Sequence, residues 1–186
     1  MTVQHSRLLL VLGALLVLGA VNFSIWQKQQ VLADGQIVLL KLAPVDPRSL
    51  MQGDYMILRY DLADQLANQL ADQVAGQHNQ PTGQIPPKGQ LLIKQDAQHV
   101  VTQAQLYHGQ PLQAGQSLLN YRHKKGQIWL GAESFFFQEG FAAAYQVAEY
   151  AELRVDDRGH SVLVGLYDAK LQPIRPTPPK TPPDTL

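Results

Sequence analysis

Residues 8–26 form a stretch without a charged side chain, and Leu8–Val21 consists only of Leu, Val, Ala and Gly. Nineteen helical residues at about 1.5 Å each extend roughly 28 Å, which matches the ~30 Å hydrocarbon core of a bilayer. Trp26 stands at the end of the stretch, where an interfacial aromatic residue belongs. The stretch therefore predicts a transmembrane helix over residues 8–26.

Charges flanking this helix predict its orientation. The amino terminus and Arg7 precede it, and Lys28 follows. This small positive bias predicts that residues 1–7 are cytoplasmic and that the rest of the chain lies across the membrane. A cleaved signal peptide is the alternative. Leu18-Gly19-Ala20 is a poor cleavage site because Leu is bulky, and Val31-Leu32-Ala33 lies beyond a polar segment, so the sequence favours an uncleaved anchor.

Composition excludes several classes of function for the remaining chain. Lys+Arg and Asp+Glu balance at 15 each, which argues against nucleic acid as a partner because phosphate binding needs a basic excess. The chain has no cysteine, so disulfides, thiolate metal sites and thiol catalysis are excluded. Residues 30–172 are predicted to be one extracytoplasmic domain that relies on its core alone. Residues 173–186 are predicted to be a proline-rich, disordered tail.

Alternating apolar residues predict a mainly β domain. Residues 36–42 and 54–60 alternate with period two, and in the second strand Met56, Leu58 and Tyr60 share one face. Turn residues at 124–126 and 156–159 predict two hairpins. Further strands are predicted at residues 91–94, 99–106, 117–122, 127–130, 134–137, 147–155 and 160–167.

One segment of the domain has a helical period. Residues 61–77 repeat apolar side chains every fourth position, at Leu62, Leu66, Leu70 and Val74, which predicts one amphipathic helix packed on the sheet. We expect seven to nine strands and one helix in an antiparallel sandwich or a partly closed barrel, preceded by the transmembrane helix. Periodicity does not encode strand order, so both architectures stay open.

Two separated blocks carry a family resemblance. The first contains the pattern Gly-Asp-Tyr-x-x-Leu-x-Tyr, with an acidic and a basic residue before it; its residues are Asp46, Arg48, Gly53, Asp54, Tyr55, Leu58 and Tyr60. In the second, a Glu precedes aromatic residues and a Glu-Gly pair follows them, at Glu133, Glu139 and Gly140. With the N-terminal anchor, these blocks resemble the GDYXXLXY family of membrane-anchored bacterial proteins. Gln138 departs from the small apolar residue or proline expected there.

The resemblance implies a location and a partner but no reaction. It implies a single-pass protein of the bacterial inner membrane with a periplasmic domain, beside polytopic membrane proteins. We therefore expect a non-catalytic accessory or subunit of an envelope membrane-protein complex. Its expected partners are a polytopic membrane protein and, through residues 8–26, the lipid bilayer. A periplasmic module that binds a peptide or glycan is the alternative.

The motif residues have two compatible interpretations. In the first they lock a turn and a strand: Gly53 provides a positive φ, Asp54 accepts backbone N–H groups, and Arg48 pairs with Asp46 or Asp54. Tyr55 and Tyr60 then fall on opposite faces, so only one ring shares the core with Leu58. In the second, Arg48, Asp54, Glu133 and Glu139 form a charged surface that meets a partner or ligand.

Enzyme chemistry has little support in the sequence. Leu50-x-x-Gly53-Asp54 is similar to the segment near the nucleophile of signal-peptidase-like serine proteases, but Val45 stands where those enzymes have serine. A divergent hydrolase using Ser49 and Lys94 is the second alternative. Glu133 and Glu139 could work as acid and base. The six histidines lack the spacing of a metal site, so we expect no cofactor or metal.

Overall fold

The computed structural model describes residues 3–43, 51–52, 55–76 and 86–176. Within these residues the chain contains three helices and ten strands. The helices are α1 (Val3–Asp34), α2 (Asp61–Gly76) and α3 (Ala142–Tyr145). The strands are β1 (Gln36–Lys41), β2 (Met51–Gln52), β3 (Tyr55–Ile57), β4 (Lys88–Gln95), β5 (Val101–Leu106), β6 (Gln116–Lys124), β7 (Gln127–Trp129), β8 (Ser134–Phe136), β9 (Tyr150–Val155) and β10 (Ser161–Tyr167).

Helix α1 contains the predicted anchor and continues past Trp26 to Asp34. Its stretch Leu10–Asp34 is long and apolar enough to cross a membrane, a property that signal sequences share. Every described side chain from Leu10 to Gln30 is exposed, and Val31 is the first one buried against the β domain. The apolar surface of this helix therefore lies outside the core of the protein.

The strands form three sheets with antiparallel neighbours. Their orders are β1-β9-β10, β2-β3-β8 and β5-β4-β6-β7. Bridges between Leu39 and Val100 and between Leu42 and Tyr60 connect the first sheet to the other two. Both predicted hairpins are present, β6–β7 and β9–β10. The structure is mainly β and curls into a half-barrel, which confirms the predicted fold class and agrees with the barrel alternative.

The core lies inside this half-barrel. Its fully buried side chains come mainly from β1, β4, β6 and β9, and α2 covers it with Ala63 and Leu66. In β1 three successive residues, Val38, Leu39 and Leu40, are buried. The segment at His99 lies beside this strand, where the Leu39 N–H bonds to the His99 carbonyl at 2.8 Å and Leu39 bridges to Val100. The side chains of Leu70 and Val74, predicted on the apolar stripe of α2, lie outside the described part of the chain.

Two predictions for the domain were wrong in detail. The predicted strand at residues 147–155 begins only at Tyr150. The described residues of the domain contain ten strands and two helices rather than seven to nine strands and one helix, because the alanine-rich segment Ala142–Tyr145 forms the short helix α3. Beyond residue 172, Pro173 bridges to Tyr167 and the Ile174 N–H bonds to the Leu166 carbonyl at 2.9 Å. Residues 177–186 of the predicted tail lie outside the described residues.

Three loops have the same hydrogen-bond pattern, which was not predicted from the sequence. Each begins with an aspartate, at Asp96, Asp156 or Asp168, whose carboxylate accepts the N–H groups two and four residues later at 2.8–3.0 Å. The fourth residue of each loop has a positive φ: His99 (65°), Gly159 (80°) and Leu171 (57°). Only one of these residues is glycine, so two loops carry the cost of a left-handed side chain.

Because His99 and Gly159 occupy equivalent loop positions, substitutions at the two should change the free energy of unfolding in opposite directions. His99→Gly should raise the free energy of unfolding by about 0.5–1 kcal/mol, because a strained, exposed residue is relieved. Gly159→Ala should lower it by about 1–2 kcal/mol, because an added Cβ would lie 3.0 Å from Asn120 Oδ1 at an unfavourable φ. Urea unfolding monitored by circular dichroism measures both. A His99→Gly protein less stable than wild type would contradict this account.

Asp156 makes the β9–β10 loop sensitive to acid. Desolvation raises the pKa of its carboxyl, but bonds from the His160 side chain and backbone outweigh this and leave the pKa below its usual value. The contribution of Asp156 is therefore complete above the unfolded-state pKa and disappears as the pH falls through the folded-state pKa. Asp156→Asn should cost about 1 kcal/mol at pH 7, and this gap should shrink as the pH falls below the usual carboxyl pKa of 3.8. Thermal unfolding at successively lower pH tests this, with the exposed Asp157→Asn as control; a gap that does not shrink in acid would contradict it.

Candidate functional site

The described part of the sequence motif forms β3 and the residues leading into α2. Met56, Leu58 and Tyr60 are buried, whereas Ile57 and Arg59 are exposed and Tyr55 is half-buried. The predicted alternation is therefore confirmed, and of the two motif tyrosines only Tyr60 lies in the core beside Leu58.

Tyr60 joins three elements. Its ring is buried, its hydroxyl donates a hydrogen bond to the Ala132 carbonyl, and its own carbonyl accepts the N–H groups of Ala63 and Asp64 at the start of α2. Burial, with a smaller contribution from the charge of Glu133, raises the pKa of the phenol far above its usual range. The hydroxyl therefore stays protonated and acts as a structural donor.

Glu133 brings the two sequence blocks together. Its carbonyl accepts the Leu58 N–H at 2.8 Å, and its Oε1 accepts the Gly131 N–H at 2.8 Å. Beyond Glu133, β8 pairs with β3 in the register Tyr55–Phe136, Met56–Phe135 and Ile57–Ser134. The second block is thus the strand partner of the first, which explains why both occur in one chain.

A groove lies beside the motif strand; we call it the motif groove. Its volume is about 540 Å³, and its walls are residues 57–60 of the motif, the first two turns of α2, and the β6–β7 turn through Trp129, with Glu133 at its base. Its charged side chains hold local partners: Arg59 pairs with Asp64 at 3.1 Å, and Glu133 caps Gly131. Polar Asn68 and Gln127 also line it.

An exposed apolar surface adjoins the groove. It consists of Tyr55, Ile57, Trp129 and Phe136, and we call it the aromatic face. Phe136 is 74% exposed, Ile57 42% and Trp129 41%. The rings of Tyr55 and Phe136 lie 5.7 Å apart, and Ile57 and Trp129 both line the groove. Single exposed apolar residues are common, but a contiguous group next to a sequence motif is typical of an interaction site.

Not every predicted site residue reaches this region. Glu139 and Gly140 lie exposed in the turn after β8, and Glu139 does not line the motif groove, so the second block divides into Glu133 at the groove and a separate turn. Asp46, Arg48, Gly53 and Asp54 lie outside the described residues, as does Ser49. Lys94 lies on β4 with an exposed side chain. No group of three His, Asp or Glu side chains suited to a metal ion occurs among the residues with described positions.

Phe136 and Trp129 were not among the site residues predicted from the sequence. In the run Phe135–Phe137 the outer two rings pack on Tyr145 at centroid distances of 5.0 and 5.2 Å, which leaves the middle ring outside. Period-two alternation in a strand gives this result, so the signal for Phe136 was present. In the predicted strand 127–130 the same alternation places Trp129 opposite the buried Ile128 and Leu130. Its position at the groove beside β3 had no signal in the sequence.

Comparison with known protein families gives a match over most of the chain. A family model described as "GDYXXLXY protein" matches residues 17–166, which is 150 of the 186 residues. The match runs from within α1 to the end of β10 and includes both blocks. No curated protein and no solved structure matches the chain significantly. The chain belongs to the GDYXXLXY protein family.

Proposed function

We propose that this protein is a non-catalytic accessory of a membrane-protein complex, anchored by α1 and facing its partner with the aromatic face. In this proposal residues 8–26 cross the bacterial inner membrane, residues 1–7 are cytoplasmic and the β domain is periplasmic. The outward-facing apolar side chains of α1 support the anchor, since lipid would cover them. Arg7 before the helix supports the orientation.

The packing at the end of α1 favours an uncleaved anchor. Val31 is buried against the domain, and Arg154 donates a hydrogen bond to the Gly35 carbonyl at 3.2 Å. Cleavage after Ala33 would remove Val31 from this contact.

Because the chain lacks cysteine, a single Lys170→Cys variant can report the location of the domain. A membrane-impermeant maleimide should label it in spheroplasts without lysis, and labelling only after lysis would contradict the orientation.

The observation that carries the accessory role is the aromatic face. Aromatic residues are enriched at protein interfaces, where they supply large contact area. A partner that covers Phe136 and Trp129 would remove about 41–74% of two large side chains from water, the kind of contact that dominates binding energy. The partner that fits is an apolar extracytoplasmic segment of an integral membrane protein, since α1 would hold the face within reach of such segments.

Co-purification from native membranes in mild detergent tests this role. Wild type should retain a polytopic membrane protein that the double variant Phe136→Ser, Trp129→Ser loses. Leu112→Ser is the matched control, because Leu112 is 46% exposed and is not part of the aromatic face. All proteins should have the same thermal unfolding midpoint. Equal recovery of the partner with the double variant would contradict the proposed interface.

The motif groove supports a second candidate, a module that binds a glycan. Trp129 next to Asn68, Gln127 and Arg59 combines an aromatic ring with planar polar groups in a volume of about 540 Å³, a combination suited to small polar ligands. Titration with soluble oligosaccharides, followed by Trp129 fluorescence in a Trp26→Phe background, tests it. Saturable binding that Asn68→Ala weakens would favour this candidate over the accessory role.

A further inference from the structure

A second cavity lies where α1 meets the β domain. It is a crevice of about 500 Å³ between the last turns of α1 and the β9–β10 loop. From the helix, Trp26, Lys28 and Asp34 line it, and from the loop, Asp157, Arg158 and His160. No described residue of either sequence block lines it, and it shares no lining residue with the motif groove.

The position of the crevice along α1 matches the polar zone of a bilayer. Trp26 closes the apolar run and lies 5.9 Å from Phe23 between ring centroids, an aromatic pair at the level where membrane interfaces hold such residues. From Trp26 to Asp34 the helix rises about 12 Å, which covers the headgroup region of roughly 5–8 Å on that side. If α1 crosses the membrane as proposed, the crevice opens among lipid headgroups.

Side chains of both charges line the crevice, and four of them have no ion-pair partner in the described part of the chain. Lys28 and Arg158 are positive, whereas Asp34 and Asp157 are negative. None of these four forms an ion pair within 4.0 Å in the described part of the chain. Asp156, by contrast, is paired with His160 at 2.9 Å. Asp156 also lines the crevice, so the groups left unpaired among the described residues are two cations and two carboxylates. This set is complementary to a ligand that carries both a phosphate and an ammonium group.

The loop side of the crevice is held in place before any ligand arrives. The Arg158 N–H donates to Asp156 at 2.9 Å, and its carbonyl accepts the Gln90 Nε2 donor at 2.9 Å. On the helix side, Val31 is buried and Arg154 holds the Gly35 carbonyl. Because the backbone is fixed on both sides of the crevice, ligand binding costs little backbone conformational entropy.

From these observations we propose that the crevice seats the headgroup of a zwitterionic phospholipid of the ethanolamine type. Lys28 and Arg158 bind its phosphate, and Asp34 and Asp157 accept hydrogen bonds from its primary ammonium. This inference rests on the proposed membrane anchoring. It makes the lipid a positioning ligand that fixes the β domain against the bilayer surface.

Native mass spectrometry of the full chain, released from nanodiscs with equal amounts of ethanolamine, choline and glycerol phospholipids, tests the proposal. One ethanolamine lipid should be retained at least about tenfold over the other two, since choline cannot donate hydrogen bonds and glycerol carries no cation. Lys28→Gln with Arg158→Gln should abolish retention of all lipids at the site. Asp34→Asn with Asp157→Asn should lose only the preference for ethanolamine, while Lys170→Gln, in an exposed turn, should change nothing.

The possible results distinguish a failure of the headgroup site from a failure of the proposed membrane anchoring. Equal retention of the three lipids, or a preference for glycerol lipid in the wild type, would overturn the headgroup assignment while leaving the anchor intact. A chain that fails to enter nanodiscs would overturn the proposed anchoring, and the headgroup site with it. Because each variant changes only exposed charges, an unchanged unfolding midpoint confirms that the lost retention reports on the crevice.

Discussion

Tyr60→Ala should lower the free energy of unfolding by about 3–5 kcal/mol, whereas Tyr55→Ala should cost less than about 1 kcal/mol. Both residues are tyrosines of the same motif, but they are five positions apart. Side chains alternate between the two faces of a strand, so an odd separation places these two on opposite faces. Tyr60 is 2% exposed and belongs to the core, while Tyr55 is half-buried on the outer side. Removing the Tyr60 side chain opens a cavity beside Leu58 and removes the hydroxyl that bonds to the Ala132 carbonyl. The Tyr60 carbonyl, which accepts the N–H groups at the start of α2, is unchanged.

The hydroxyl of Tyr60 contributes separately. Tyr60→Phe keeps the ring but leaves the Ala132 carbonyl without its donor, which should cost about 1–2 kcal/mol. Urea unfolding of the detergent-solubilised full chain, followed by near-ultraviolet circular dichroism, measures all three variants. If Tyr55→Ala proved as costly as Tyr60→Ala, the motif could not be the one-sided core element that the burial pattern describes.

Gly35→Ala should be the second most damaging change, lowering the free energy of unfolding by about 2–3 kcal/mol. An added Cβ would lie 2.3 Å from the Val31 carbonyl oxygen and 3.1 Å from the Val155 nitrogen. These atoms belong to the backbone, so they cannot turn aside as a side chain would. The last turn of α1 would have to separate from β9, which breaks the bond between Arg154 and the Gly35 carbonyl.

Gly19→Ala is the matched control for this prediction. Gly19 lies within α1, whereas Gly35 directly follows its last residue, and an added Cβ at Gly19 would meet no atom within 4 Å. Thermal unfolding in detergent should therefore give a wild-type midpoint for Gly19→Ala and a lower one for Gly35→Ala. Equal midpoints for the two variants would mean that α1 is not rigidly joined to the sheet.

The sequence predicted those features that depend only on residues close together in the chain. The period-two alternation at Met56, Leu58 and Tyr60 predicted which side of the motif strand is buried. Turn residues at 124–126 and 156–159 predicted both hairpins. In each case neighbouring residues decide the outcome, through alternation of side chains or through backbone conformation in a tight turn.

Features that depend on strand order could not be predicted in this way. The segment at His99, distant in sequence, pairs with β1 through the Leu39 N–H and a bridge to Val100, and no local pattern in the sequence encodes this pairing. Glu152 is buried because Tyr167 and Arg154 meet its two carboxylate oxygens at 2.7 and 3.4 Å. The aromatic face likewise requires β8 and the β6–β7 turn to lie beside β3, an arrangement that no periodicity encodes.

The most direct test of the accessory role is crosslinking at the aromatic face in living cells. A photoreactive phenylalanine analogue at position 136, activated by light, should give one discrete adduct with an integral membrane protein, while the same analogue at position 112 should give none. Both positions are exposed apolar sites of the β domain, so only their surroundings differ. A single adduct specific to position 136 is the predicted result. No adduct there, or the same adducts at both positions, would contradict the claim that this face docks a membrane partner.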